Sequence, residues 1–258
     1  MTSTTSAQVL HVRHWTETQF SFMTTRPDGL RFENGQFLML GIVVDERPLL
    51  RAYSIASANH EDHLHFLSIK VPGGPLTSRL QQIRRGQSIL ISRKSTGTLL
   101  LSDLRPGKHL YLLATGTGVA PFLAILKEPS VYERFERVIL IHGVRWARET
   151  AVAQYCIDEL KRHEILGEMV GGKVDYYPAV TREPHVNRGR LTTLMMTGKL
   201  FRDLGFDALN PEHDRVMVCG SASMLSDTSR ILDSCGFKIS PHIGEPGDYV
   251  IERAFVDR

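Results

Sequence analysis

The chain changes hydrophobic rhythm once, at Leu104-Arg-Pro-Gly107, and that change limits what it can fold into. Before it, Gln36–Val44, Leu64–Val71 and Gln87–Arg93 are short β-rich runs separated by Gly, Pro and Asn, as in a small antiparallel barrel. One helix is predicted there, from Pro75 to about Arg84, because proline suits a first turn where an N–H has no intrahelical partner. After it, continuous apolar strands alternate with helical patterns. His109–Ala114 precedes a helix from Ala120, and Arg137–His142 precedes one over Arg148–His163. Val174–Val180 leads to a short helix near Leu191, and Arg215–Cys219 to one over Met224–Cys235. Such alternation implies a parallel sheet covered on both faces. The predicted fold is therefore an antiparallel β-barrel over residues 1–101 and a doubly wound parallel-sheet α/β domain over residues 102–258. A length of 258 residues agrees with two domains.

Composition removes several alternatives. Apolar residues at 42% and charged residues at 23% are globular values, which excludes a disordered chain. A net charge of +3 without a clustered basic patch does not point to nucleic acid. Cys156, Cys219 and Cys235 show no CxxC spacing, which argues against zinc or an iron–sulfur cluster. No signal peptide is visible at Met1–Ser6, and no apolar run reaches the ~18 residues that span a bilayer. The expectation is a soluble cytoplasmic protein without a membrane partner.

Chemistry concentrates in a few short segments. In Arg51-Ala-Tyr-Ser54, strand alternation puts Arg51 and Tyr53 on one face, a guanidinium for phosphate beside a ring for stacking. Val71-Pro-Gly-Gly-Pro-Leu-Thr-Ser78 runs from a Gly/Pro loop into the predicted helix, offering backbone N–H groups and the Thr77 and Ser78 hydroxyls to an anion. Together they suit a pyrophosphate-linked flavin. Leu112-Leu-Ala-Thr-Gly-Thr-Gly-Val-Ala-Pro-Phe122 reads as strand, glycine loop and helix at the first βα turn, where dinucleotide phosphates bind. It is neither GxGxxG nor a Walker loop. Arg145, Arg182, Arg188 and Arg190 follow later strands, where guanidinium groups can meet an adenosine 2′-phosphate. Cys219-Gly-Ser-Ala-Ser-Met224 repeats the strand–small residue–helix pattern, although a lone cysteine is usually just a core thiol.

Over essentially its whole length the chain resembles the bacterial ferredoxin (flavodoxin)–NADP(+) reductase family. The resemblance is carried by Arg51-Ala-Tyr-Ser54, Gly74-Pro-Leu-Thr77, Ala114-Thr-Gly-Thr-Gly118, His142-Gly-Val-Arg145, Val180-Thr-Arg-Glu183, Cys219-Gly-Ser221 and Ile251-Glu-Arg-Ala-Phe-Val256. It implies that Arg51, Gly74, Leu76 and Thr77 hold the FAD pyrophosphate, that Tyr53 stacks on the isoalloxazine and that Ser54 bonds near its N5. Phe66, Ser68 and Lys70 would line the flavin through the backbone, and Phe255 would stack on the adenine. Thr115, Gly116, Thr117 and Gly118 would cradle the NADP phosphates, Thr117 also nearing the flavin. Val144, Thr181, Gly220 and Ser221 would border the nucleotide, Arg145, Arg182 and Arg190 would read its 2′-phosphate, and Asp227 would assist at the adenosine. Cys219 would sit by the nicotinamide, with Glu252 in the network beside the flavin. Ala254 would leave more room on the flavin face than a tyrosine. Residues 249–258 would thus return to the flavin.

The implied activity is an FAD-dependent transfer of electrons between NADPH and a one-electron carrier, ferredoxin or flavodoxin, by a monomer. Basic residues on the barrel (Arg47, Lys70, Arg84, Arg85, Arg93, Lys94) can steer an acidic carrier. Ala222 stands where the family usually has proline, which suits a helix start. Two other readings remain open: a related flavin reductase serving a cytochrome or oxygenase, and a non-enzymatic flavin- or nucleotide-binding subunit. Glu183, beside Arg182, is the one acidic candidate for a ribose 2′-OH, the contact of an NAD site.

Overall fold

Strand pairing in the first half is driven by one apolar face closing on itself. The computed structural model describes residues 3–253. Its first sheet holds β1 (Thr4–His14), β2 (Gln19–Thr25), β3 (Phe37–Val44), β4 (Arg47–Ser54), β5 (His63–Ile69) and β6 (Ser88–Ser92), in the order β4-β3-β6-β1-β2-β5. All of its pairings are antiparallel. Just past β4, an Ile55–Phe66 bridge and a 2.8 Å bond from the Ala56 N–H to the His65 carbonyl join the two edge strands. That junction curls the sheet into a barrel around Phe20, Phe22, Leu38, Leu40, Leu64 and Phe66. The β1–β2 hairpin escaped the sequence reading because β1 is mostly polar; its strand character comes from being paired on both sides.

The predicted Pro75–Arg84 helix contracts to α1 (Thr77–Leu80). Leu76, Leu80 and Ile83 are buried at helical spacing. However, Gln82 and Ile83 bond three residues back, to the Arg79 and Leu80 carbonyls, so the segment tightens and ends before β6.

The second half supplies β7 (His109–Thr115), α2 (Ala120–Ile125), α3 (Pro129–Arg134), β8 (Arg137–Val144), α4 (Ala151–Arg162), α5 (Leu166–Val170), β9 (Val174–Val180), α6 (Leu191–Met196), α7 (Lys199–Leu204), β10 (Asp214–Gly220), α8 (Ala222–Ser234) and β11 (Tyr249–Arg253). Its sheet is parallel throughout, in the order β11-β10-β7-β8-β9. One face, with Tyr111, Ile139 and Val218, packs on Leu194, Phe201 and Leu225 of α6, α7 and α8. The other face, with Leu112, Met217 and Val250, shares one core with Ala56, Leu67 and Leu99. The barrel therefore leans on the sheet through continuous apolar packing.

Chain order runs outward from β7 through β8 to β9, then jumps back to β10 on the other side of β7. Open α/β sheets bind ligands where strand order reverses, outside the carboxyl ends of the strands. Here that point lies beyond Thr115 of β7 and Gly220 of β10.

Candidate active site

A cleft of about 420 Å³ opens at that reversal. It is lined by Thr115, Gly116, Thr117, Val144, Arg145, Thr181, Arg190, Ser221 and Asp227, all expected nucleotide residues. The β7 and β10 loops interlock: the Ser221 N–H donates to Thr115 Oγ1 at 3.2 Å. A Cβ on Gly220 would stand 2.2 Å from that oxygen, so only glycine permits the approach. Gly118 is buried behind the cleft against Cys219, and Gly118, Gly220 and Arg182 do not line it. Arg182 stays close through its backbone, its N–H donating to the Arg145 carbonyl at 2.9 Å. Asp227, on α8, also pairs with Arg230 at 3.7 Å.

His142, which the sequence offered only as part of a motif, supports this loop from beneath. It is fully buried on β8, its Nε2 lying 2.8 Å from the Gly116 carbonyl and its Nδ1 3.0 Å from the Tyr176 hydroxyl. A carbonyl only accepts, so Nε2 carries the proton and Tyr176 donates to Nδ1. Burial lowers the ring to about 4, keeping it neutral. The carbonyl so held belongs to a residue at φ +55°, a left-handed conformation natural to glycine.

Glu149 was also missed. Its carboxylate accepts from the Arg145 and Trp146 N–H groups at 2.9 and 3.1 Å and from the Thr18 hydroxyl at 3.3 Å, fastening the arginine loop to the barrel. Glu183 accepts from the Ala147 N–H in the same turn. That carboxylate is engaged in shaping the loop.

On the barrel, Tyr53 is buried and bonds Ser68 through its hydroxyl at 3.0 Å. Phe22 and Phe66 meet its ring edge-on, both at 6.4 Å between centres, and no other aromatic ring among the described residues stacks on it. Ser54, half-buried, ends β4 opposite Phe37. Phe66 points into the barrel core, while Lys70 donates to the Thr16 carbonyl at 2.6 Å. Arg51 is exposed and donates to its neighbour Leu50's carbonyl at 2.8 Å. Leu76 is buried, and the Thr77 hydroxyl is buried without a partner among the described residues. An orphaned hydroxyl beside the Gly74 loop, and a guanidinium making only a local bond, are what a diphosphate would complete. The residues fit the group.

Between the two regions, Cys219 and Glu252 are register partners on β10 and β11. Cys219 is fully buried, and burial, reinforced by Glu252, raises its thiol well above the usual value. Glu252 is 8% exposed and accepts from the Thr98 N–H at 2.8 Å. Burial pushes its carboxyl up to about 7. The strand expected to return toward the flavin joins the parallel sheet as its edge, and touches the end of the barrel segment at Thr98 through Ile251 and Glu252. Ala254 and Phe255 lie outside the described residues. Among the described residues no cluster of three or more His, Cys, Asp or Glu could hold a metal, and no helix is long and apolar enough to cross a membrane.

A family model of an oxidoreductase FAD-binding domain matches residues 11–99, and one of an oxidoreductase NAD-binding domain matches residues 112–230. A ferredoxin–NADP reductase of Pseudomonas aeruginosa is 59% identical over 258 residues, covering 100% of both chains. One from Azotobacter vinelandii is 59% identical over 97% of each. A flavodoxin/ferredoxin–NADP reductase of Rhodobacter capsulatus is 47% identical over 96% of this chain and 92% of its own. Among solved structures, a ferredoxin NADP+ reductase from Neisseria gonorrhoeae with bound FAD and NADP superposes with a TM-score of 0.87 at 30% identity, covering 98% of this chain and 99% of that one.

Proposed function

The chain belongs to the ferredoxin–NADP reductase family, and from that premise we propose which of its residues carry the reaction. It is an FAD-dependent oxidoreductase that moves electrons between NADPH and ferredoxin or flavodoxin. Bound FAD supplies the exchange between a hydride pair and single electrons. Residues 1–101 form the flavin unit and residues 102–258 the nucleotide unit, with β11 bordering the flavin. Arg51, Gly74, Leu76 and Thr77 hold the FAD diphosphate, Tyr53 and Ser54 position the flavin ring, and the Phe66–Lys70 backbone flanks it.

At the cleft, Thr115, Gly116, Thr117 and Ser221 border the NADP diphosphate, while Gly118 and Gly220 let the two loops close together behind it. Arg145 and Arg190, with Arg182 behind them, take the 2′-phosphate. One Glu183 carboxylate oxygen accepts from the Ala147 N–H, so the residue helps shape the arginine loop. Cys219, buried in the core behind the cleft, keeps its thiol uncharged beneath the nicotinamide position. Glu252 holds or releases a proton near neutral pH. The observation that carries this assignment is the strand reversal at β7 and β10, which gathers the phosphate loop and two arginines into one cleft against the barrel. The protein works as a cytoplasmic monomer. The test is NADPH-dependent reduction of purified ferredoxin and flavodoxin by the yellow protein. No carrier reduction, or equal kcat/KM with NADH, would overturn the reading.

A further inference from the structure

Gln19 and Ile69 are the barrel residues that line the nucleotide cleft, and they face each other across the β2–β5 pairing. Strand alternation explains their position. Phe20 and Phe22 point into the barrel core, so Gln19 points out of it, toward the α/β domain. Gln19 is only 5% exposed, yet its carboxamide oxygen has no hydrogen-bond partner among the described residues. An unsatisfied buried acceptor destabilises the fold, and unlike the orphaned Tyr111 and Thr228 hydroxyls, which belong to residues that do not line the cleft, this one sits on a residue that does. Half a turn about its terminal torsion exchanges oxygen for NH₂, so the group can show either an acceptor or a donor to the cleft.

The neighbours of Gln19 locate it along the cleft. Thr18 is tied to Glu149, which holds the Arg145 loop, while Ser68, next to Ile69, bonds Tyr53. Gln19 therefore stands where the barrel wall meets the cleft, between the arginine loop and the flavin-side tyrosine. With a nucleotide's 2′-phosphate at Arg145 and Arg190, its nicotinamide half must pass this wall to reach a flavin.

We propose that Gln19 is a binding residue for the nicotinamide–ribose half of NADP(H), its carboxamide hydrogen-bonding groups there that both donate and accept. The assignment rests on the functional reading above. It explains why the fold retains an orphaned amide: the partner arrives with the substrate.

The FAD-loaded wild type and Gln19→Leu are titrated calorimetrically with NADP+ and with adenosine 2′,5′-bisphosphate, which lacks the nicotinamide half, and their thermal unfolding is compared. The variant should bind NADP+ about 3- to 10-fold more weakly, the worth of one net hydrogen bond, and the bisphosphate equally well. Its Tm should hold or rise, since an unpaired acceptor has gone, whereas loss of a structural residue would lower it. Unchanged NADP+ affinity, equal weakening of both ligands, or a fall in Tm would overturn the proposal. If Gln19→Leu fails to retain FAD, Gln19→Met, closer in shape, carries the same comparison. A wild type that binds neither nucleotide would overturn the reading of the cleft itself, a result distinct from the others.

Discussion

Replacing Glu252 by glutamine probes a charge that the fold holds back. An ordinary glutamate ionises near 4.5, whereas burial raises this one to about 7 despite the Thr98 N–H that favours its charged form. Between those values the native chain keeps a proton that the unfolded chain has released. The stabilisation linked to that proton is fully present below 4.5 and is lost as pH rises through about 7. At about 1.4 kcal/mol per pH unit, the span from 4.5 to about 7 amounts to roughly 3 kcal/mol. Glutamine is neutral at every pH and keeps an acceptor for Thr98, so Glu252→Gln removes this loss. For a chain of this size each kcal/mol moves Tm by about 2–4 °C, which makes the effect roughly 6–12 °C. The assay is thermal unfolding of both proteins in the same excess of FAD, because bound cofactor adds its own stability. The difference in Tm between variant and wild type should shift in the variant's favour by that amount from pH 4.5 to pH 8. A difference that does not change with pH, or that moves against the variant, would refute the reasoning.

Replacing both Arg145 and Arg190 by alanine removes two charge-assisted contacts worth about 1.5–3 kcal/mol each, and should raise the NADPH KM roughly 100-fold while NADH kinetics change little. Measured at low ionic strength, where exposed charges are least screened, an equal effect on both nucleotides would contradict the 2′-phosphate assignment. Arg51→Ala should weaken FAD retention about tenfold or more, read from flavin absorbance after dialysis. His142→Phe removes the donor to the Gly116 carbonyl and should raise the NADPH KM several-fold without flavin loss. Because burial lowers His142 to about 4 from an ordinary 6.5, its stabilisation is present above 6.5 and lost as pH falls through about 4, and the variant should lose that share of the acid sensitivity in urea unfolding.

Sequence alone determined the two-part architecture and most of the cleft. A glycine loop after the first α/β strand, arginines after later strands and apolar runs at strand spacing are local patterns. Each fixes a backbone conformation or a facing side chain without knowledge of the rest of the chain. Thus Thr115–Thr117, Arg145 and Arg190 could be placed in one crevice once the alternating order was recognised. What the local pattern could not contain is pairing at a distance. Thr18 meets Glu149 across 131 positions. His142 finds Gly116 only because β8 lies beside β7. Cys219 and Glu252 become neighbours through the register of β10 and β11. The β1 strand is too polar to announce itself, and α1 is cut short where its hydrogen bonds tighten. Gln19 looks like an ordinary surface amide until the second domain covers it. Burial and ionisation belong to that same class, because the surroundings that desolvate Glu252 and Gln19 are assembled from segments far apart in the chain. Only the folded arrangement decides which polar groups lose their water and which find a partner within the chain.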